Sequence, residues 1–136
     1  MKKQLAILLV IFCVLGMAGC NNQSQKLQGD QLLAEGNVVK INISSLPERY
    51  NYCFNGKDTK AIMDYLSALN LDNKFVENPD AYGGMTWVIA LEYENGDILK
   101  IYHLGNMFIR SEKGSWYKIT YEETNSLDAL LNELNN

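Results

Sequence analysis

The feature that most constrains the fold is a run of alternating apolar and polar residues between Met85 and Tyr121. Alternation with a period of two is typical of β-strands that bury one face. Three turn sequences, Glu94–Asp97, Gly105-Asn106 and Lys113-Gly114, divide the run into four strands. Because short connections join antiparallel neighbours, the run predicts a meander in which each strand pairs with the next.

Other segments add strands and two helices to this meander. Alternation at Val38–Ile43, broken at Ser44–Pro47, and at Tyr50–Phe54 predicts one or two N-terminal strands. Apolar residues at helical spacing predict amphipathic helices at Lys60–Asn70 and Leu127–Leu134. Their expected caps are Asp58 or Thr59 for the first helix and Asn125 or Ser126 for the second. We therefore expect an α+β fold, with an antiparallel sheet and two helices packed on one face.

The N-terminus has the three-part pattern of an export signal. Lys2 and Lys3 precede an apolar stretch, Leu5–Leu15, which is shorter than the roughly 20 residues of a membrane-spanning helix. Met17-Ala18-Gly19-Cys20 follows and resembles a bacterial lipobox, in which the cysteine thiol is lipidated and a peptidase cuts just before it. We expect a signal peptide at 1–19, and a lipid on Cys20, such as palmitate, that anchors the protein outside the cytoplasm.

Composition predicts one folded unit after this signal. Residues 20–35 are largely polar and are expected to form the lipidated cysteine and a flexible tether, and residues 36–136 a single domain. Loss of Lys2 and Lys3 with the signal would take the net charge from −4 to −6. An acidic chain without a basic run is a poor partner for nucleic acid, so we expect none.

Few residues in the chain are suited to catalysis. Cys53 is the one cysteine outside the signal and lipobox, and its strand-like surroundings favour a buried thiol over a reactive or intermolecularly paired one. His103, the one histidine, is expected to have a structural or surface role. The two would form a nucleophile–base pair only if the fold brought them together. Spacings typical of metal sites are missing from the sequence, so we expect no metal and no other cofactor.

Aromatic side chains are the remaining candidates for ligand contact. Their faces stack on sugars and fill pockets in partner proteins, although most strand aromatics belong to the core or to cross-strand pairs. Tyr82 lies in the long loop before Gly83-Gly84 and is the residue expected at the surface. Trp87 and Trp116 are the other candidate contacts.

The order of these motifs resembles a known group of proteins. Its pattern includes Gly56-Lys57-Asp58 before a helix, Tyr82-Gly83-Gly84 before a long strand, Tyr93 ahead of Asn95-Gly96-Asp97, and Trp116–Ile119 before a leucine-rich terminal helix. In these features the chain is similar to uncharacterised small extracytoplasmic lipoprotein domains of Gram-positive bacteria. Similar modules are attached to membrane-embedded sensor proteins. The group has no known functional residues, so the resemblance implies a location and no chemistry.

The function expected from the sequence is non-catalytic binding of a protein, a peptide or a cell-wall ligand by a lipid-anchored domain. The sheet edge or the loop around Tyr82 is the expected contact surface. Two alternatives stay open. One is a glycan-binding module that uses exposed aromatic residues, and the other is a small cell-envelope enzyme that uses Cys53 or His103.

Overall fold

The computed structural model describes residues 27–72, Pro79, 84–120 and 126–136. The expected signal peptide, the lipid site Cys20 and the candidate contact Tyr82 lie outside these residues. Within the described part of the chain, no helix is both long enough and apolar enough to cross a membrane.

The fold is α+β, with one antiparallel sheet of eight strands and two helices. The strand order across the sheet is β1-β4-β8-β7-β6-β5-β2-β3. The helices are α1 (Lys57–Ala68) and α2 (Leu127–Leu134). The strands are β1 (Leu27–Gln28), β2 (Val38–Leu46), β3 (Asn51–Asn55), β4 (Asn70–Asp72), β5 (Thr86–Tyr93), β6 (Ile98–Leu104), β7 (Phe108–Ser111) and β8 (Tyr117–Thr120).

The predicted four-stranded meander is present as β5 to β8, which are consecutive neighbours in the sheet. The predicted total of five or six strands is too low, because β1 and β4 complete the sheet beyond β8. These two strands contain two and three residues, which is too short for an alternating pattern to show.

Strand β2 continues through the predicted break at Ser44–Pro47 and ends at Leu46. Ser45 makes this extension favourable, because its buried hydroxyl organises the turn that follows. The hydroxyl donates to the carbonyl of Pro47 at 2.9 Å and accepts from the amides of Arg49 and Tyr50 at 2.9 and 3.0 Å. Serine usually favours turns over strands. Here the Ser45 hydroxyl supplies hydrogen bonds that the backbone of the following turn needs.

Both helices contribute to one hydrophobic core on one face of the sheet, which we call the inner face. From the helices the core contains Ile62 and Leu66 of α1 and Leu127 and Leu131 of α2. Each fully buried side chain of this size stabilises the fold by about 1.5–3 kcal/mol. The inner-face strand residues that are completely buried with them are Ile41, Ile43, Ile89, Leu91, Ile101 and Ile109.

The sequence predicts the N-terminus of α2 better than that of α1. Helix α2 begins as predicted, with the Ser126 hydroxyl accepting from the amide of Ala129 at 3.2 Å. Helix α1 begins at Lys57, three residues before the predicted start, and its N-terminal side has no side-chain cap. The Thr59 hydroxyl donates instead to the carbonyl of Gly56 at 2.6 Å, and Gly56 has a positive φ of 59°. Glycine adopts this conformation at little cost, so the turn leads directly into the helix.

Some residues of the segment expected to form a tether, 20–35, contact the sheet and the core. Leu27 pairs with Leu71 in the sheet, and Leu32 is buried in the core. Gly29 allows this docking: its amide donates to the carbonyl of Leu69 at 2.8 Å, and a Cβ there would lie 1.6 Å from the carbonyl oxygen of Leu66. Gly29 therefore allows the chain to pass close to the backbone at the C-terminal end of α1.

Candidate functional site

The side of the sheet opposite the helices, which we call the outer face, carries a group of three half-buried residues, two aromatic and one cationic. Tyr102 on β6 and Arg110 on β7 are directly opposite each other in the strand register. The guanidinium carbon of Arg110 lies 4.8 Å from the ring centroid of Tyr102 and 5.1 Å from that of Trp116. Both distances are typical of cation–π contacts. We call Tyr102, Arg110 and Trp116 the arginine cluster.

Arg110 has ring contacts but no charged partner in the described part of the chain. The ion pair in this part is between Lys60 and Asp64, both exposed on α1. The Nε atom of Arg110 is buried, and it has no hydrogen-bond acceptor. No other buried side-chain nitrogen or oxygen of the described residues is without a partner. An unpaired buried donor is unfavourable by about 1–3 kcal/mol. Among the described residues, this nitrogen is therefore an exception to the rule that buried polar atoms are hydrogen-bonded.

Positive side chains predominate on the strands of the outer face. Alternation places Lys40, Lys100, Arg110 and Lys118 there, with Glu92 and Asp72 as the acidic residues. The strands thus give this face a net positive charge, although the whole chain has a net charge of −4. Exposed Glu112 follows β7, and its amide donates to the carbonyl of Lys100 at 2.9 Å. Its carboxylate forms no ion pair with Arg110.

The predicted contact Trp116 belongs to this cluster and is half-buried. Trp87, the other predicted contact within the described residues, is on the inner face and only 5% exposed. Its indole nitrogen donates to the Asp128 carboxylate at 3.2 Å, and its ring lies against Tyr50 and Tyr52. Trp87 therefore joins the sheet to α2, and its buried ring is not available for stacking on a sugar.

The sheet edge, which the sequence suggested as a contact surface, is formed at one end by β3. Three aromatic rings follow one another along it, with 6.3 Å between the centroids of Tyr50 and Tyr52 and 6.1 Å between those of Tyr52 and Phe54. Tyr50 is 48% exposed, whereas Phe54 is buried. An edge strand also has unpaired backbone groups, so β3 is a second surface on which a partner could add a strand.

His103 has a structural position in the inner layer and is fully buried. Its Nδ1 atom is 2.6 Å from the carbonyl oxygen of Gly105, and its Nε2 atom is 2.9 Å from the hydroxyl of Tyr65. Because a carbonyl only accepts, Nδ1 carries the proton and Nε2 accepts from Tyr65. Burial lowers the pKa of His103 from 6.5 to about 4, so the ring is neutral at physiological pH.

The expectation that Cys53 is buried is wrong, because Cys53 is exposed on the edge strand β3. Its neighbour Phe54 faces the core, and alternation therefore places the Cys53 thiol on the outer face. His103 is on the inner face, three strands away, which is about 14 Å at 4.8 Å per strand. The fold thus separates the two members of the possible Cys53–His103 nucleophile–base pair.

Sequence reasoning missed Arg110, because the length of the preceding turn decides its partner. The predicted two-residue turn Gly105-Asn106 would place Tyr102 opposite Ile109, whereas the turn spans residues 105–107 and brings Tyr102 opposite Arg110. The position of Trp116 over the same guanidinium depends on the connection between β7 and β8, which alternation does not describe. Within the described residues, no group of three or more His, Cys, Asp or Glu side chains is arranged to hold a metal ion.

Comparison with known proteins adds no relative to this description. No protein-family model, no curated protein and no solved structure matches the chain.

Proposed function

We propose that the protein is a non-catalytic binding domain, held at the outer surface of the cell membrane by a lipid on Cys20. In this proposal it binds a protein, a peptide or a cell-wall ligand on the outer face of the sheet. The observation that carries the proposal is the arginine cluster, in which a cation is held against two aromatic rings without a charged partner among the described residues. Aromatic residues and arginine are the residue types that dominate binding energy at interfaces.

The position of β1 supports binding close to the membrane. Only six residues separate Cys20 from Leu27. A chain spans at most about 3.6 Å per residue, so Leu27 lies within about 25 Å of a lipid on Cys20. The β3 edge is seven strand spacings farther across the sheet, or about 34 Å. The proposed anchor therefore keeps the β1 edge of the sheet within about 25 Å of the lipid.

The environment of His103 supports a binding role over catalysis. The imidazole of His103 is buried and uses both ring nitrogens in hydrogen bonds. A general base has to reach the proton that it removes, which this buried ring does not do in the folded state.

The anchor is tested by growing cells with labelled palmitate. We expect the full chain to incorporate the label and Cys20→Ser to lose it. Cys53→Ser is the matched control, because it removes an exposed thiol and leaves the lipobox intact. Label in Cys20→Ser, or loss of label in Cys53→Ser, would contradict the proposed anchor.

Binding is tested by sedimentation of the full-length protein, in detergent, with isolated cell-wall fragments. We expect Trp116→Leu to reduce the bound fraction and Tyr50→Leu, at the β3 edge, to leave it unchanged. A loss with Tyr50→Leu alone would move the contact to the sheet edge. Release of soluble wall fragments, abolished by His103→Ala or Cys53→Ala, would make the protein an enzyme.

A glycan-binding role is the second candidate, and the partial exposure of Trp116 favours it. A sugar that stacks on Trp116 should quench its fluorescence in a titration with peptidoglycan fragments. Trp116→Phe should abolish the quenching and Trp87→Phe should preserve it, since the Trp87 ring is buried. Unchanged fluorescence at saturating fragment would count against this candidate.

A further inference from the structure

The arginine cluster holds a guanidinium group in a fixed position with one free edge. Contacts with Tyr102 and Trp116 restrict the long side chain before any ligand arrives. Ordering such a side chain is one of the costs of binding, and here folding has already met it. The Nε atom is buried, whereas the two terminal nitrogens of Arg110 are not buried and are also unpaired within the described residues. These two nitrogens are the edge that a ligand can reach.

We infer that this edge binds a carboxylate group of the ligand. This inference rests on the proposed binding function and names the chemical group that Arg110 recognises. Two parallel N–H groups on the terminal nitrogens match the two oxygens of a carboxylate, and each hydrogen bond is strengthened by charge. Ligand binding would supply the negative partner that the described part of the chain does not give Arg110.

The surroundings of Arg110 favour an anionic group at this position. Lys100 and Lys118 are on the same face, on the two strands that flank β7. Glu112 is the nearest acidic residue along the chain, and it leaves Arg110 unpaired. An anion approaching the outer face therefore meets more positive than negative side chains, even though the chain as a whole is acidic.

Carboxylate fits the site better than phosphate does. Phosphate sites in proteins usually add backbone N–H groups from a helix N-terminus to their basic side chains. Both described helices pack on the inner face, so neither N-terminus is on the outer face. A single planar guanidinium suits a planar, two-pronged acceptor. The carboxylate can come from the free end of a peptide or from an acidic side chain, and these two sources need separate probes.

The test is NMR titration of the full chain in detergent micelles, labelled with ¹⁵N-arginine. The sequence has two arginines, so Arg49, which is exposed, serves as an internal reference for Arg110. The probes are acetyl-dialanine, which has a free C-terminal carboxylate, and the α-amide of acetyl-glutamic acid, which has only a side-chain carboxylate. Acetyl-dialanine amide and inorganic phosphate are the controls. We expect a saturable shift of the Arg110 Nε–H signal with at least one carboxylate, no response to the amide, and an unchanged Arg49 signal.

Variants distinguish recognition by the paired N–H groups of Arg110 from simple attraction between charges. Arg110→Lys keeps the charge and loses the paired N–H groups, so we expect at least about tenfold weaker binding, the equivalent of one charge-assisted hydrogen bond, measured on the backbone amide signals of uniformly ¹⁵N-labelled parent and variants. Arg49→Lys is the matched control and should bind as the parent does. Equal affinity in Arg110→Lys, an equal shift of Arg49, a response to phosphate stronger than that to carboxylate, or no response at saturation would each overturn the inference.

The two proposals fail in different experiments. If cell-wall fragments bind the protein and Arg110→Lys has no effect on that binding, the carboxylate inference is wrong and the binding function stands. If the Arg110 signal responds to carboxylates and no wall fragment or surface ligand binds, the site exists and the proposed function is wrong.

Discussion

The two faces of the sheet are built from the same strands and differ in the burial and hydrogen bonding of their side chains. On the inner face, apolar residues from the strands and both helices are completely buried in one cluster. Its polar groups Ser45 and His103 are paired within the protein. On the outer face, the Nε atom of Arg110 is buried without an acceptor.

This contrast separates stability from recognition. Buried apolar area and satisfied hydrogen bonds stabilise a fold, so substitutions on the inner face should affect unfolding. A cation ordered by aromatic rings and left unpaired contributes little to stability, and its chemistry is available to a ligand. The two faces should therefore respond differently to matched substitutions.

The largest effect is expected from adjacent residues of β5 that face opposite ways. Ile89 is completely buried on the inner face, and Val88 is half-buried on the outer face. Ile89→Ala should lower the free energy of unfolding by about 2–5 kcal/mol, through lost burial and the cavity that remains. Val88→Ala should cost less than about 1 kcal/mol, because part of its surface stays in water. Urea denaturation measures both, and equal losses would show that the outer face is packed as the core is.

The next effect tests whether the N-terminal segment belongs to the inner layer. Gly29→Ala should destabilise the fold by about 3 kcal/mol, the upper range for overpacking, because its Cβ would lie 1.6 Å from the Leu66 carbonyl oxygen. Gly114→Ala is the matched control, because its Cβ would meet the movable Ser111 hydroxyl at 2.9 Å. Hydrogen exchange of the backbone amide of residue 29 should become faster in Gly29→Ala and stay unchanged in Gly114→Ala. Unchanged exchange would place this segment outside the folded layer.

Protonation of His103 should weaken the inner face as the pH falls. Burial lowers its pKa to about 4 in the folded state from an ordinary 6.5, so the unfolded chain binds more protons between these values. Stability is therefore complete above pH 6.5 and declines as the pH falls towards 4. The decline should be about 2 kcal/mol between pH 6.5 and 5, at 1.36 kcal/mol per pH unit. His103→Gln should flatten this slope in urea titrations, and an equally steep slope in that variant would assign it to other groups.

Alternation predicted the inner face well, because burial of one strand face repeats every two residues. Ile89, Leu91 and Ile101 all lie in the core, and Ser126 caps α2. Cys53 shows the limit of such reasoning. It lies in a strand as expected, but the residue next to it faces the core and the thiol is therefore exposed. Deciding which of two alternating sets is buried requires the register, which tertiary packing sets.

The candidate site was less predictable, because it depends on contacts between segments. Trp87 and Trp116 are equivalent by residue type, and the fold buries one in the core and places the other against Arg110. The partner of His103 is Tyr65, 38 positions away on α1. Sequence patterns describe neighbours along a strand or helix, and none of these contacts is of that kind.

The smallest effect on stability is expected at the arginine cluster itself. Arg110→Met removes two cation–π contacts worth about 0.5–1 kcal/mol each, or about 1–2 kcal/mol together. It also removes the buried Nε donor that has no acceptor, which is favourable by about 1–3 kcal/mol and therefore of similar size. The free energy of unfolding should therefore change by no more than about 0.5 kcal/mol, while carboxylate binding is lost. A loss of stability above about 2 kcal/mol would make Arg110 a structural residue, and the outer face would then resemble the inner one.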